Sequence, residues 1–100
     1  MKLSQKATWR EKAKNVSRCL RGITHEIRLG ILLSLQAGEK SVTEMVKDVG
    51  CPQPTLSKHL TLMRDRGILK SRQSGNRVLY RVVDRRIYKL LGLVRSLFCS

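Results

Sequence analysis

The segment 41–67, SVTEMVKDVGCPQPTLSKHLTLMRDRG, constrains the fold more than any other part of the chain. Its apolar residues recur at helical spacing on both sides of Gly50, which predicts two short helices joined by a tight turn. Ser41 and Glu44 fit a capping box at the start of the first helix, and Gly50 suits a left-handed closing residue. Pro54 falls near the first turn of the second helix, where its missing N–H costs nothing. We therefore predict a helix-turn-helix here.

A β-hairpin is predicted directly after the helix pair. Residues 68–73 and 77–83 are the strand candidates, and the sequence Ser-Gly-Asn at 74–76 supplies the turn between them. A helix pair followed by a basic hairpin is typical of a winged helix-turn-helix domain. In such a domain the second helix lies in the major groove of DNA and the hairpin rests on the flanking backbone.

Three further helices are predicted outside this region, at 5–21, at 25–36 and from Asp84 to about Cys99. Thr24 is the expected cap of the second of these, and Asp84 is the expected cap of the last. The predicted fold class is therefore mainly α with a small β-hairpin, in the order α-α-α-α-β-β-α with a two-stranded wing. We expect residues 1–100 to form one domain.

The charge of the chain favours a polyanionic partner. There are 21 Lys and Arg residues against 7 Asp and Glu, a formal net charge of +14. Self-repulsion of this size opposes folding, and nucleic acid is its natural counterweight. No segment approaches the roughly 18–20 apolar residues of a membrane span, and the basic N-terminus lacks the apolar run of a secretory signal. We therefore expect a cytoplasmic location, no membrane partner and double-stranded DNA as the ligand.

The sequence contains no constellation typical of catalysis. It lacks a Cys/His pair with a third supporting residue, a carboxylate pair on one face and a phosphate-binding glycine loop. We therefore expect no enzymatic activity and no required cofactor. A winged-helix protein-interaction module is the alternative from another class. Such modules usually lose the basic residues of the reading face, whereas this chain keeps Lys58, His59, Arg64, Arg72 and Arg77.

Three stretches of the chain resemble the ArsR/SmtB family of bacterial winged-helix repressors: THEIRLGILLSL, PQPTLSKHLTLMRDRGIL and SGNRVLYRV. The resemblance runs from about residue 16 to the end. It implies a homodimer that pairs through its first and last helices, which accounts for the strongly apolar segment 87–98. It also implies a repressor that acts until an inducer binds or modifies it.

Resemblance and position together indicate the residues that would contact DNA. On the recognition helix these are Gln53, Thr55, Ser57, Lys58 and His59, and on or beside the wing they are Arg72, Asn76 and Arg77. Gln, Ser and Thr can bond base edges, while Lys, His and a hairpin Arg suit phosphates, guanine or the minor groove. For His59 the alternative is a half-buried partner of its own turn, and for the wing arginines it is a charged strand edge. A dimer would read an imperfect palindrome.

The known metal sites of the family are not matched. The positions of the Cys-x-Cys pair of the arsenite sensors correspond to Ser41 and Thr43, and the last helix has Asp84 but no His. The tail RSLFCS is instead similar to the thiol-switch branch, whose members sense persulfide or oxidant. That branch pairs a Cys near the end of the last helix with one on the second helix, where this chain has Leu33. Cys19 is the nearest substitute.

Three interpretations of the cysteines stay open, since an odd number does not suit a disulfide framework. Cys19 and Cys99 form a redox pair that senses persulfide or oxidant. Alternatively, Cys19, Cys51 and Cys99 gather as a site for arsenite or another thiophilic inducer, and apart from this possibility we expect no metal site. In the third interpretation, some or all of them are packing residues, which is the interpretation we favour for Cys51.

Overall fold

The computed structural model describes residues 5–99, and side chains from residue 8 onward. The elements in chain order are α1 Gln5–Leu20, α2 Glu26–Ser34, a 3-10 turn Leu35–Ala37, β1 Lys40–Ser41, α3 Val42–Val49, α4 Gln53–Asp65, β2 Leu69–Ser74, β3 Arg77–Val82 and α5 Ile87–Phe98. The predicted winged helix-turn-helix, with five helices and an antiparallel hairpin, is confirmed. Within the described range, no helix combines the length and apolar character that crossing a membrane requires.

The core lies where α2, α3 and α4 meet the sheet. α2 and the turn after it contribute Ile31, Leu32 and Leu35, all at most 1% exposed. Met45 of α3 is fully buried beside them, and the sheet closes the cluster with Leu69, Tyr80 and Val82. α2 is therefore the central helix, as its run of apolar residues predicts.

Local sequence signals determine where α3 begins and ends. The backbone N–H of Glu44 donates to Ser41 Oγ at 3.3 Å, and the N–H of Ser41 donates to Glu44 Oε1 at 3.0 Å, so the predicted capping box is present. Gly50 closes the helix at φ 75° and ψ 37°, the left-handed conformation that a side chain would disfavour. Gly50 therefore ends α3 and begins the turn that leads to α4.

The sheet has three strands rather than the two predicted. β2 and β3 form the hairpin from the Leu69–Val82 pair to the Ser74–Arg77 pair, and β1 joins the free edge of β3. β1 has only two residues, too few for a period-two pattern to be visible in the sequence. β1 ends directly before α3 because Ser41 serves both elements. Its extended backbone completes the strand, and the same residue is the N-cap of the helix.

Two predicted helix caps are wrong. Thr24 belongs to the turn that leaves α1, and the N-cap of α2 is His25, whose Nδ1 accepts from the N–H of Ile27 at 3.1 Å. An imidazole can take this role because its unprotonated nitrogen is an acceptor like a serine oxygen. The N-cap of α5 is Arg86, whereas Asp84 accepts from the Arg86 N–H in the preceding turn, at 3.0 Å.

Candidate nucleic-acid interface

α4 is held by its apolar side and presents a polar side to solvent. Leu56, Leu60 and Met63 are at most 1% exposed and pack in the core. Leu62 is half-buried against the same core, and the polar residues of α4 lie off this apolar side. Gln53, Lys58, Thr61 and Arg64 are exposed, while Thr55, Ser57 and His59 are half-buried at the borders. Within residues 8–99, the side chains of four of the five predicted recognition residues form no hydrogen bond with another residue: Gln53, Thr55, Ser57 and Lys58.

The start of α4 has backbone N–H groups that no capping side chain occupies. Its N-cap is Pro52, which provides no side-chain hydrogen bond, and the N–H of Leu56 is the first to bond back, to the carbonyl of Pro52 at 3.0 Å. Pro54 lies in the first turn, as predicted. The first-turn amides therefore keep the positive end of the helix dipole available to a phosphate group.

His59, the fifth predicted residue, is engaged inside the protein. Its Nδ1 accepts a hydrogen bond from Nε of Arg28 on α2, at 3.2 Å. Its ring lies 4.4 Å from the ring of His25, at an interplanar angle of 41°. Burial lowers the pKa of His59 from its ordinary value of 6.5, and the charges of His25, Arg28 and Lys58 lower it further. The lowered pKa and the hydrogen bond from Arg28 both favour the neutral imidazole. The sequence analysis did not identify His25 and Arg28 as the partners of this ring.

The wing carries a cationic outer face. The register pairs Lys70 with Arg81, Arg72 with Leu79 and Ser74 with Arg77, so these side chains share one side of the sheet. The opposite side of the hairpin contributes Leu69, Tyr80 and Val82 to the core. Lys70 and Arg81 were missed as candidates, although the alternation in the two strands places them beside the predicted arginines.

The predicted wing residues differ in whether an acidic side chain already binds them. Arg72 forms an ion pair with Glu39, with Nε–Oε2 and Nη2–Oε1 distances of 2.8 Å each, and the Arg72 hydrogen bond lowers the pKa of Glu39. Arg77 has a longer contact with Glu44, 3.8 Å between Nη1 and Oε1. Asn76 is exposed at the hairpin tip, after Gly75 at φ 63°. Arg77 and Asn76 are thus more available than Arg72 to contact DNA.

The three cysteines lie in different places, and all three thiols are free. Cys19 is exposed near the end of α1 and lines a hollow of about 300 Å³ with Arg18, Arg66 and Ile68. Cys99 is the exposed C-cap of α5. Cys51 is half-buried against the core. Between residues 5 and 99 of one protomer, no three His, Cys, Asp or Glu side chains are grouped closely enough to hold a metal ion.

α1 and α5 expose apolar side chains. On α1, Trp9, Val16 and Leu20 are 41–58% exposed and recur at helical spacing on one side. On α5 the exposed set is larger and comprises Leu90, Leu93, Val94, Leu97 and Phe98. Ile87, Tyr88 and Leu91 of α5 instead pack against the core. Among residues 5–99, no element therefore covers the outer side of α5.

Comparison with known proteins gives consistent matches. Residues 25–71 match the family model described as bacterial regulatory protein, arsR family. The biofilm growth-associated repressor of Xylella fastidiosa is 31% identical over 90 residues, which cover 90% of this chain and 79% of that protein. These relatives are regulators of transcription, and the prediction that the chain is not an enzyme is confirmed.

Solved structures extend the similarity to the whole fold. The transcriptional repressor BigR from Xylella fastidiosa superposes with a TM-score of 0.78 at 29% identity, over 96% of this chain and 98% of that one. A homodimeric winged helix-turn-helix DNA-binding domain from Mycobacterium bovis, described as a possible ArsR-family regulator, gives 0.73 at 26% identity, over 96% and 86%.

Proposed function

Since the chain belongs to the arsR family of bacterial regulatory proteins, we propose that it is a homodimeric transcriptional repressor that binds an imperfectly palindromic DNA operator. The observation that carries this proposal is the orientation of α4. Its apolar stripe is buried, while Gln53, Ser57 and Lys58 border or form the outward side. A helix in this position can enter the major groove, with the cationic face of the hairpin beside it on the backbone.

The exposed sides of α1 and α5 support the homodimer. Leu97 and Phe98 are 70% and 78% exposed in the single protomer, a state that is costly for side chains of this size. A second copy offers the same apolar sides, and a two-fold axis would bury them against one another. The similar domain from Mycobacterium bovis is homodimeric. A two-fold dimer would place its two α4 helices about one turn of DNA apart.

Release from DNA is proposed to follow modification of Cys19 and Cys99. Both thiols are exposed near the C-terminal ends of α1 and α5, the two helices of the proposed dimer interface. Oxidation would join the two Sγ atoms while two protons and two electrons pass to the oxidant, and it requires Cα atoms within about 7 Å. A covalent link at this interface would change the spacing of the two α4 helices. Persulfide is the second proposed signal for the same pair.

Arsenite is the alternative inducer, with Cys19, Cys51 and Cys99 as ligands. Such an ion needs its sulfur ligands close together, and no group of three ligands is present among residues 5–99 of one protomer. Half-burial of Cys51 against the core also favours a packing role for it. These two observations favour the thiol pair.

The test begins with a duplex selected from a random-sequence pool by the reduced wild-type protein. We expect a palindromic sequence, and we expect two protomers per duplex in analytical ultracentrifugation. The protein is then treated with persulfide, peroxide or arsenite, and intact mass and duplex affinity are measured in parallel. Loss of affinity should accompany modification of the wild type and of the matched control Cys51→Ser, and it should be absent in Cys99→Ser. Unchanged induction in Cys99→Ser would exclude the thiol pair.

A protein-interaction module is the competing class, and the same selection separates the two. Recovery of no preferred sequence, with affinity for scrambled duplexes equal to that for any selected one, would favour it. Exposure of Lys58 and Arg64 on α4 and of Arg77 on the wing supports DNA binding instead. A DNA-binding repressor would act in the bacterial cytoplasm, which is where we place it.

A further inference from the structure

One guanidinium group connects the end of α1 to the recognition helix. Arg28 lies on α2, and its Nε donates to Nδ1 of His59 at 3.2 Å. Its Nη1 donates to the backbone carbonyl of Arg21, in the turn that leaves α1. The planar fork of an Arg side chain can make both bonds at once, which a Lys ammonium at the same place cannot do with the same geometry. Arg28 therefore contacts both the segment that follows α1 and the helix that would read DNA.

His59 is fixed from a second direction by His25. The two rings lie 4.4 Å apart between centroids, and His25 is itself held as the N-cap of α2 by the N–H of Ile27. Because Nδ1 of His59 accepts from Arg28, the proton of the neutral ring is on Nε2. The imidazole is half-buried on the border of α4 rather than on its outward side. Its acceptor nitrogen is thus used within the protein.

We propose that Arg28 and His59 are positioning residues for DNA recognition: the neutral imidazole, bonded to Arg28, fixes the orientation of α4, and protonation of the ring releases it. The proposal rests on the proposed function, since it concerns how α4 is presented to the operator. Protonation at Nδ1 uses the lone pair that accepts from Arg28. It also places an imidazolium against a guanidinium, so the bond is replaced by repulsion.

The surroundings of His59 determine the direction of its pH dependence. His25 before α2, Arg28 on α2 and Lys58 on α4 itself act on the ring, and none of them is a carboxylate that would favour a proton. Burial, followed by these three, lowers the pKa of His59 below 6.5. An unfolded chain therefore takes up this proton before the folded one does. The hydrogen bond between Arg28 and His59 therefore contributes fully to the stability of the folded state above pH 6.5. This contribution is lost as the pH falls from 6.5 through the lowered pKa of His59.

A direct contact between His59 and DNA predicts the opposite response. Phosphates attract the imidazolium form, so acidification would then tighten binding. For a positioning residue, the ratio of affinities for selected and scrambled duplexes should fall on acidification, because only specific binding needs the exact orientation of α4. The sign of this change distinguishes the two roles.

Four variants and one control test the proposal at fixed ionic strength. His59→Asn keeps an acceptor close to the position of Nδ1 and cannot titrate, whereas His59→Leu removes the acceptor. Arg28→Lys keeps the charge, and Arg28→Met removes it. Arg10→Lys, on the exposed part of α1, is the control for an Arg exchange elsewhere. Above pH 6.5 we expect His59→Leu and Arg28→Met to lower the ratio of affinities for selected and scrambled duplexes on the order of tenfold. The ratio for Arg28→Lys should lie between those of these two variants and that of the wild type.

His59→Asn should keep most of the wild-type ratio of affinities for selected and scrambled duplexes, and this ratio should no longer depend on pH. Tighter operator binding by the wild type on acidification would overturn the proposal, as would equal losses in His59→Asn and His59→Leu. An unchanged ratio in Arg28→Met would also overturn it.

A measurement without DNA keeps this test separate from that of the proposed function. The ring protons of His59 are titrated by NMR, and amide hydrogen exchange is followed along α4. Arg28→Met should raise the pKa of His59, because a nearby cation and a bond to the neutral ring are both lost, and it should speed exchange in α4. If the wild type selects no duplex, the proposed function fails, while this titration still decides the Arg28–His59 link. An unmoved titration and unchanged exchange would refute the link itself.

Discussion

Glu39 and Arg72 join the two outer parts of the sheet across β3. Glu39 precedes β1 on one side of β3, and Arg72 lies in β2 on the other, yet their Nε–Oε2 and Nη2–Oε1 distances are both 2.8 Å. The side chains of Arg72 and Glu39 are 56% and 29% exposed, so water screens the pair and it adds little net stability. It does occupy the guanidinium that the sequence marks as a DNA contact. A phosphate could bind this guanidinium in the same way only if it displaced the carboxylate of Glu39.

We therefore predict that Glu39→Gln strengthens DNA binding. Freed Arg72 would contact phosphate and release one more counterion, so affinity for all duplexes should rise by roughly three- to tenfold at low ionic strength. The slope of log affinity against log salt should steepen by about one. Salt titration by fluorescence anisotropy measures both quantities. Glu11→Gln removes the same charge from α1 and serves as the control. An equal effect of the two substitutions would mean that Arg72 makes no DNA contact.

The outward side of α4 predicts two different kinds of loss. Lys58→Ala should weaken binding to selected and scrambled duplexes alike and should reduce the salt slope by about one, because an exposed ammonium binds phosphate without reading sequence. Gln53→Ala or Ser57→Ala should instead cost about 1–3 kcal/mol at particular bases and relax the choice there. Salt titrations and a repeated duplex selection measure these effects. An unchanged slope in Lys58→Ala would remove this residue from the phosphate contacts.

The proposed dimer interface can be tested by one charge on α5. Leu97 is 70% exposed in the protomer and shares a side of α5 with Leu90 and Leu93. Leu97→Glu would bury a carboxylate in an apolar interface, so the dimer dissociation constant should rise on the order of a hundredfold. Sedimentation equilibrium measures it, and Ser96→Glu on the polar side of α5 is the matched control. If both variants remain dimeric, the interface lies elsewhere.

Features of the fold that depend on neighbours in sequence were predictable. The capping box of Ser41 and Glu44 and the left-handed Gly50 are each determined within a few residues. The apolar stripe of α4 follows from helical spacing in the same way. The two-residue strand β1 was missed because it is too short to form a pattern. The cap at His25 was missed because an imidazole is an uncommon cap and Thr24 is a better one by composition.

The contacts that refine the candidate interface are long-range and leave no trace in local patterns. Arg28 and His59 are 31 positions apart, and Glu39 and Arg72 are 33 apart. Their pairing depends on how α2 packs on α4 and on which edge of β3 accepts β1. The sequence therefore indicates His59 and Arg72 as candidate DNA contacts. It could not show that Arg28 already binds His59 and that Glu39 already binds Arg72. The roles in DNA binding stay predictions for all eight residues.

Asp84 should contribute to stability in a defined acid range. The side-chain hydrogen bond from Arg86, together with the Arg86 backbone N–H, lowers the pKa of Asp84 from 3.8 to about 2. A carboxyl group with a lowered pKa stabilises the folded state above its unfolded value and loses this contribution as the pH falls through the folded value. The difference in unfolding free energy between wild type and Asp84→Asn should therefore be constant above pH 3.8 and shrink toward about pH 2.

Urea titrations at a series of pH values, at one fixed protein concentration because dimerisation also adds stability, measure this difference. Glu39, Glu44 and Asp48 also have lowered pKa values, so the wild type alone will lose stability over a broader acid range. Asp65→Asn removes the same charge from the end of α4 and is the control. A difference between wild type and Asp84→Asn that stays constant down to pH 2 would show that the turn before α5 does not depend on the Asp84–Arg86 pair.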